Sequence, residues 1–118
     1  MREGEQPRRV LPEDPLGLIQ RCIRQGKLRW TYHINMRLRQ RHVPREAILG
    51  SLDSFEIIES YPGDQHLPSY LIYSEYEGVI FHVVIATDVP DDNVRLVTAY
   101  KPDPQRWEED LKTRRQTS

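Results

Sequence analysis

Two histidines and a row of arginines give this chain its best chance of doing chemistry. His33, Arg37 and Arg41 recur at i, i+4 and i+8, so one face of a helix would carry an imidazole and two guanidinium groups. His82 interrupts the most apolar run of the sequence, residues 79–86 (VIFHVVIA). A strand that apolar seldom holds a titratable group. Thr98 and Tyr100 are two residues apart, hence on one side of an extended segment. A His/Arg/Thr/Tyr set without carboxylates suits metal-independent cleavage of RNA. That reaction needs a base for the 2′-hydroxyl proton, an acid for the leaving 5′-oxygen and a cation for the phosphorane oxygens. Imidazole serves either proton task near neutral pH, and arginine forks onto phosphate. Each residue also has a plainer reading. His33 would be an exposed histidine at a helix start, and Arg37 and Arg41 a solvated helix face. His82 would be a buried histidine bonded to Thr98 or Tyr100, and Tyr100 a packed tyrosine.

Other chemistries lack their residues. There is no HExxH, no paired cysteine, no GxGxxG or phosphate-binding P-loop and no GxSxG. A metal site and a cofactor are therefore not expected. Cys22 is the single cysteine and lies on an expected core face, so neither a disulfide nor thiol catalysis is read from it.

The elements that must position these groups follow from caps and periodicity. Residues 1–13 are charged and proline-bearing and read as a flexible arm. Asp14-Pro15 is an N-cap followed by a first-turn proline, Leu16, Ile19, Cys22 and Ile23 fall at helical spacing, and Gly26 stops the helix. Residues 28–30 form a connector or short extended piece. Thr31 caps a second helix over about 32–41, where His33 sits in the first turn, a position that favours an anion. Pro44 starts a third helix, with Ala47, Ile48 and Leu52 as its apolar face. Strands follow at 55–61, 69–76, 79–86 and 94–100, with Glu77-Gly78 as a two-residue hairpin turn. Residues 79–86 should be the central strand, with Val79, Phe81, Val83 and Ile85 toward the helices and His82 on the other face or at a cleft rim. Trp107 is expected to pack the end of the chain back, and 112–118 to fray. The fold class is α+β: two or three N-terminal helices on a four-stranded antiparallel meander, one domain over 14–111.

The chain of 118 residues has a net charge of −1, which alone argues against a nucleic-acid partner. The distribution argues otherwise. Residues 15–45 hold eight basic groups and no acid, and residues 46–118 hold fourteen acids and six bases. Such a cationic third suits phosphate. Equally, the two parts would neutralise each other across the fold. No apolar run approaches the roughly 20 residues that span a bilayer, and MREGEQPRRVLPEDP has no signal-peptide core, so a cytoplasmic setting without membrane contact is expected.

The ordered series Trp30-Thr31-x-His33, Arg37, Arg41, Tyr61-Pro62, Phe81-His82-Val83-Val84, Val97-Thr98-Ala99-Tyr100 and Trp107 resembles the bacterial domain of unknown function 4258 family, over about residues 18–107. Val43 departs from its pattern, standing where a polar cap precedes the third helix. The resemblance implies a RelE/barnase/colicin-like nuclease fold and a toxin of toxin–antitoxin type, with a cognate antitoxin as partner. It implies His33, Arg37, His82 and Tyr100 as catalytic groups and Arg41, Thr98 and Trp30 as substrate contacts. The expected activity is metal-independent endoribonuclease action on mRNA, ribosome-associated or free. The rival is a non-catalytic RNA- or protein-binding module with a basic helical face. The nuclease reading requires His33 and His82 to open onto a common pocket beside the arginines. The oligomeric state stays open.

Overall fold

A computed structural model describes residues 10–64 and 66–116. Residues 1–9 of the expected N-terminal arm, together with 65, 117 and 118, lie outside the described residues. The elements run α1 (Pro15–Arg24), β1 (Leu28–Arg29), α2 (Tyr32–Gln40), α3 (Arg45–Gly50), a 3₁₀ turn (Leu52–Ser54), β2 (Glu56–Tyr61), β3 (Ser69–Tyr76), β4 (Val79–Asp88) and β5 (Asn93–Tyr100).

The local signals act as their chemistry dictates. Asp14 accepts from the Gly17 amide at 3.0 Å and caps α1. Gly26 takes φ +75° just past its end. Thr31 accepts from the Ile34 amide at 3.1 Å and caps α2. Pro44 precedes α3 without any side-chain cap bond. Glu77 and Gly78 both take positive φ, the pairing that the right-handed twist of a two-residue hairpin demands.

The sheet corrects the expected meander. It has five strands in the order β1-β5-β4-β3-β2, and it is mixed. β2, β3, β4 and β5 are antiparallel neighbours in sequence order, and β1 adds a parallel fifth strand through Leu28↔Val94 and Arg29↔Arg95. Leu28 is buried there, and the Val94 amide donates to the Lys27 carbonyl at 3.1 Å. Residues 28–30 are expected as a connector or short extended piece, and residues 28 and 29 are extended; two residues are too few to show the period that would announce their pairing.

The helices share one face of the sheet. Ile19, Ile23, Leu38, Ala47 and Ile48 join Ile72, Phe81, Val83, Ile85, Leu96 and Ala99 in a single core. The opposite face carries a cross-strand row, Glu56–Tyr73–His82–Tyr100, and beside it a second, Glu59–Leu71–Val84–Thr98. The chain after β5 folds back over the first row as an irregular hairpin. Trp107 bridges Arg114, the Glu108 amide donates to the Thr113 carbonyl at 2.7 Å, and the Arg115 amide donates to the Arg106 carbonyl at 2.9 Å. Asp103 and Asp110 close its turns by accepting backbone amides. Residues 112–115 are hydrogen-bonded or ion-paired, where composition suggests a frayed end. Their contacts are to strands far back in sequence.

No helix among the described residues is long and apolar enough to cross a membrane.

Candidate phosphate-binding site

Charge pairing divides the eight cations of residues 15–45 into two sets. Arg21 and Lys27 both hold Asp92, at 2.6 and 2.7 Å, Arg24 holds Asp53 at 2.8 Å, and Arg29 holds Asp91 at 3.2 Å. Hydrogen bonds from Arg21 and then Lys27 hold the Asp92 carboxyl well below the usual carboxylate range. The β4–β5 loop and the 3₁₀ turn therefore place carboxylates against the cations around α1. Arg37, Arg39, Arg41 and Arg45 have no carboxylate partner among the described residues. Within residues 15–45 the unpaired cations are those of α2 and the start of α3.

Arg41 shows where this row leads. At the C-terminal end of α2 its Nη1 donates to Thr98 Oγ1 at 2.7 Å and to the Ala99 carbonyl at 3.4 Å. It thereby reaches past β5 to the face opposite the helices. There it borders an open pocket of about 430 Å³ lined by Arg41, Lys101, Arg106 and Arg114, one acid, Asp103, and the aromatics Tyr100 and Trp107. Arg114 is held by Glu59 at 2.7 Å, and Glu59 also accepts from the Tyr61 hydroxyl. Lys101 and Arg106 have no ion-pair partner among the described residues. Burial raises the Tyr100 pKa, so its hydroxyl keeps its proton.

His33 lies exposed in the first turn of α2, one edge of its ring toward Tyr32. By helical spacing it continues the Arg37–Arg41 row. His82 does not join it. Its ring is 0% exposed and lies on the face away from α2. Nε2 donates to the Leu111 carbonyl at 2.6 Å, and Nδ1 has no partner. Trp107 and Tyr100 set their rings edge-on to it at 4.6 and 5.5 Å, and Tyr73 lies tilted at 6.3 Å. Burial is the main cause that lowers its pKa and keeps it neutral.

The common pocket expected for His33 and His82 is therefore not formed. Strand alternation sends His82 away from the helices, and the folded-back end covers it. Trp30, expected as a substrate contact, packs against the core half-buried, and the Arg45 guanidinium stacks over its ring at 4.2 Å. Thr98 engages Arg41 as its acceptor, and Tyr100 reaches the same pocket. Sequence reasoning missed Lys101, Arg106 and Arg114. Their only signal was the bases flanking Trp107 in a stretch rich in turn formers.

The family model described as Domain of unknown function (DUF4258) matches residues 30–101. The chain belongs to this family. The DUF4258 span holds His33, Arg37, Arg41, His82, Thr98 and Tyr100, and it ends before the folded-back segment that carries Arg106, Trp107 and Arg114. No curated protein and no solved structure matches the chain.

Proposed function

We propose that this DUF4258 protein binds RNA through the His33–Arg37–Arg41 row and the pocket where Arg41 meets Tyr100. The observation that supports this is the charge division. Every cation around α1 has a carboxylate partner, three carboxylates serving four cations, whereas among the described residues those of α2 have none. A solvated helix face needs no such segregation, whereas a polyanion needs guanidinium groups that are free to exchange their counterions. Arg41 and Arg106 would take phosphates, and Tyr100 offers an aromatic surface for a base. A gel shift of the full chain with a single-stranded RNA oligomer tests this. Binding should fall when Arg37 and Arg41 are both alanine, and unchanged retention would overturn the assignment.

A second reading is catalytic and gives up the two-histidine pocket that the sequence reading required: a metal-independent endoribonuclease of the toxin–antitoxin type, on a RelE/barnase-like arrangement of helices and sheet, with exposed His33 as its one imidazole. His33 would be the exposed proton carrier, Arg37 and Arg41 the phosphate clamp, and Thr98 would hold Arg41 in place. The protonated Tyr100 beside Arg41 favours it. The natural target is mRNA, free or on the ribosome, in a cytoplasmic setting, with a cognate antitoxin as inhibitor. Incubating the protein with RNA in EDTA separates the readings. Cleavage that survives chelation and is lost in His33→Ala supports the enzyme. Salt-sensitive binding without cleavage supports the module.

A further inference from the structure

Helix α2 carries a second row beside His33, Arg37 and Arg41. Tyr32, Asn35, Met36 and Arg39 fall at i, i+3, i+4 and i+7. This row is one wall of an open pocket of about 460 Å³ between α2 and the start of α3. Leu38 and Val43, both buried, lie at its base, and Arg45 and Glu46 line it from α3. Tyr32 is 76% exposed and Met36 38%, so a ring and a thioether one turn apart both face water. The Asn35 carboxamide is half-buried, yet it has no hydrogen-bond partner among the described residues. The charges around the pocket do not close on one another. Arg39 and Arg45 line it together with Glu46, and neither pairs with that carboxylate or any other among the described residues. Arg45 instead stacks on half-buried Trp30. Stacking occupies the face of a guanidinium and leaves its edge, where the N–H donors lie, for an oxyanion.

Two guanidinium groups against one carboxylate fit an anionic ligand. An acidic peptide would meet the cations and leave the carboxamide and the exposed ring unused. An unstacked base uses all of them. It has a π-face for the ring, a polar edge for the amide and a phosphate beside it. The amide's paired donor and acceptor match adenine, which presents an amino donor next to a ring-nitrogen acceptor. Glu46 offers that amino group a further acceptor, whereas uracil would set a carbonyl oxygen against the carboxylate.

We propose that the pocket between α2 and α3 is a subsite for one unstacked adenine of single-stranded RNA. Tyr32 stacks on the base, Asn35 reads its edge, and Arg39 and Arg45 hold the flanking phosphates. This inference rests on the RNA-binding reading and adds base selection to it. The His33–Arg37–Arg41 row supplies attachment that is blind to sequence, and this pocket supplies preference.

The test compares the full chain with Tyr32→Ala, Tyr32→Phe and Asn35→Ala by filter retention of oligo(A), oligo(U) and an abasic oligomer of the same length. Thermal melts confirm that each variant is folded. The parent should hold oligo(A) about tenfold more tightly than oligo(U). Tyr32→Ala should lose about tenfold on oligo(A) with an unchanged salt slope, because a base contact and no phosphate contact is removed. Tyr32→Phe keeps the ring and should bind as the parent does. Asn35→Ala should bring oligo(A) and oligo(U) to about the same affinity. All four chains should bind the abasic oligomer alike. If Tyr32→Ala and Asn35→Ala hold oligo(A) as tightly as the parent, or weaken on the abasic oligomer to the same extent, the adenine subsite is overturned and RNA binding by the arginine row stands. If an oligoglutamate of equal charge displaces oligo(A) and Tyr32→Ala weakens both ligands alike, the pocket takes acidic peptide and the adenine assignment is again overturned. If neither the parent nor any variant retains RNA, the RNA-binding reading falls and takes this subsite with it.

Discussion

Replacing Arg37 and Arg41 together by alanine should weaken RNA binding and flatten its salt dependence, whereas replacing Arg21 and Arg24 should do neither. The two pairs are chemically equal and lie on successive helices. They differ in what they face. Arg21 and Arg24 are held by Asp92 and Asp53 at 2.6 and 2.8 Å, so each already has a counter-charge beside it before any ligand arrives. Arg37 and Arg41 face no carboxylate among the described residues. Each phosphate neutralised on a single strand contributes about 0.7 to the slope of log affinity against log salt. Two lost contacts lower that slope by about 1.4. Over a fourfold rise in salt, from about 50 to 200 mM, the Arg37/Arg41 variant should lose about sevenfold less affinity than the parent. Stability should hardly move, because all four side chains are exposed and such pairs contribute roughly 0–1 kcal/mol. Filter retention of a labelled RNA oligomer across the salt range measures the slopes, and thermal melts check the fold. Equal flattening in both double variants would refute the reasoning. So would no flattening in either, since unpaired charge would then not determine where the polyanion sits.

Two further outcomes follow from the covered face. Trp107→Ala removes a ring that is 3% exposed, stacks edge-on to His82 at 4.6 Å and lies under the Arg114 guanidinium. It should lower stability by about 3 kcal/mol in urea unfolding, and a loss under about 1 kcal/mol would show that the folded-back segment barely docks. Burial holds the His82 pKa below its ordinary 6.5 in the fold, so as pH falls the unfolded chain takes up that proton first. Urea midpoints should therefore decline as pH drops through and below 6.5. His82→Gln should remove the decline in that window. The loss from Asp92, whose folded pKa is depressed, should appear only as pH falls below its ordinary 3.8. A midpoint that stays level from neutrality down toward pH 5 in the parent chain would contradict the covered, neutral imidazole.

The parts of this fold that short-range chemistry controls could be read directly from residues. Asp14-Pro15 and Thr31 announce helix starts, Glu77-Gly78 announces a hairpin, and alternation along 79–86 sends Phe81, Val83 and Ile85 toward the helices and His82 away from them. What could not be read depends on partners far apart in sequence. Leu28 becomes a strand only because Val94 is beside it. The neutral or free state of each arginine is decided by carboxylates such as Asp92, 71 positions from Arg21. Trp107 signalled that the chain end packs, yet nothing local says that Leu111 would land on His82 and separate it from His33. Of the residues expected around one pocket, Arg41 and Tyr100 border the same one, and His82 lies covered away from His33.

β2 ends the sheet, and a terminal strand offers unsatisfied N–H and C=O groups that a strand from another molecule can complete. Here that offer is spoiled. The register slips between Ile57 and Glu59, so the outer ladder is broken near its middle. Glu56 and Glu59 add like charges that two copies would have to bring together, and the lysine and arginine that balance them belong to the same chain and lie across the opposite flank. One consequence is that β-addition by a second chain is disfavoured along this edge.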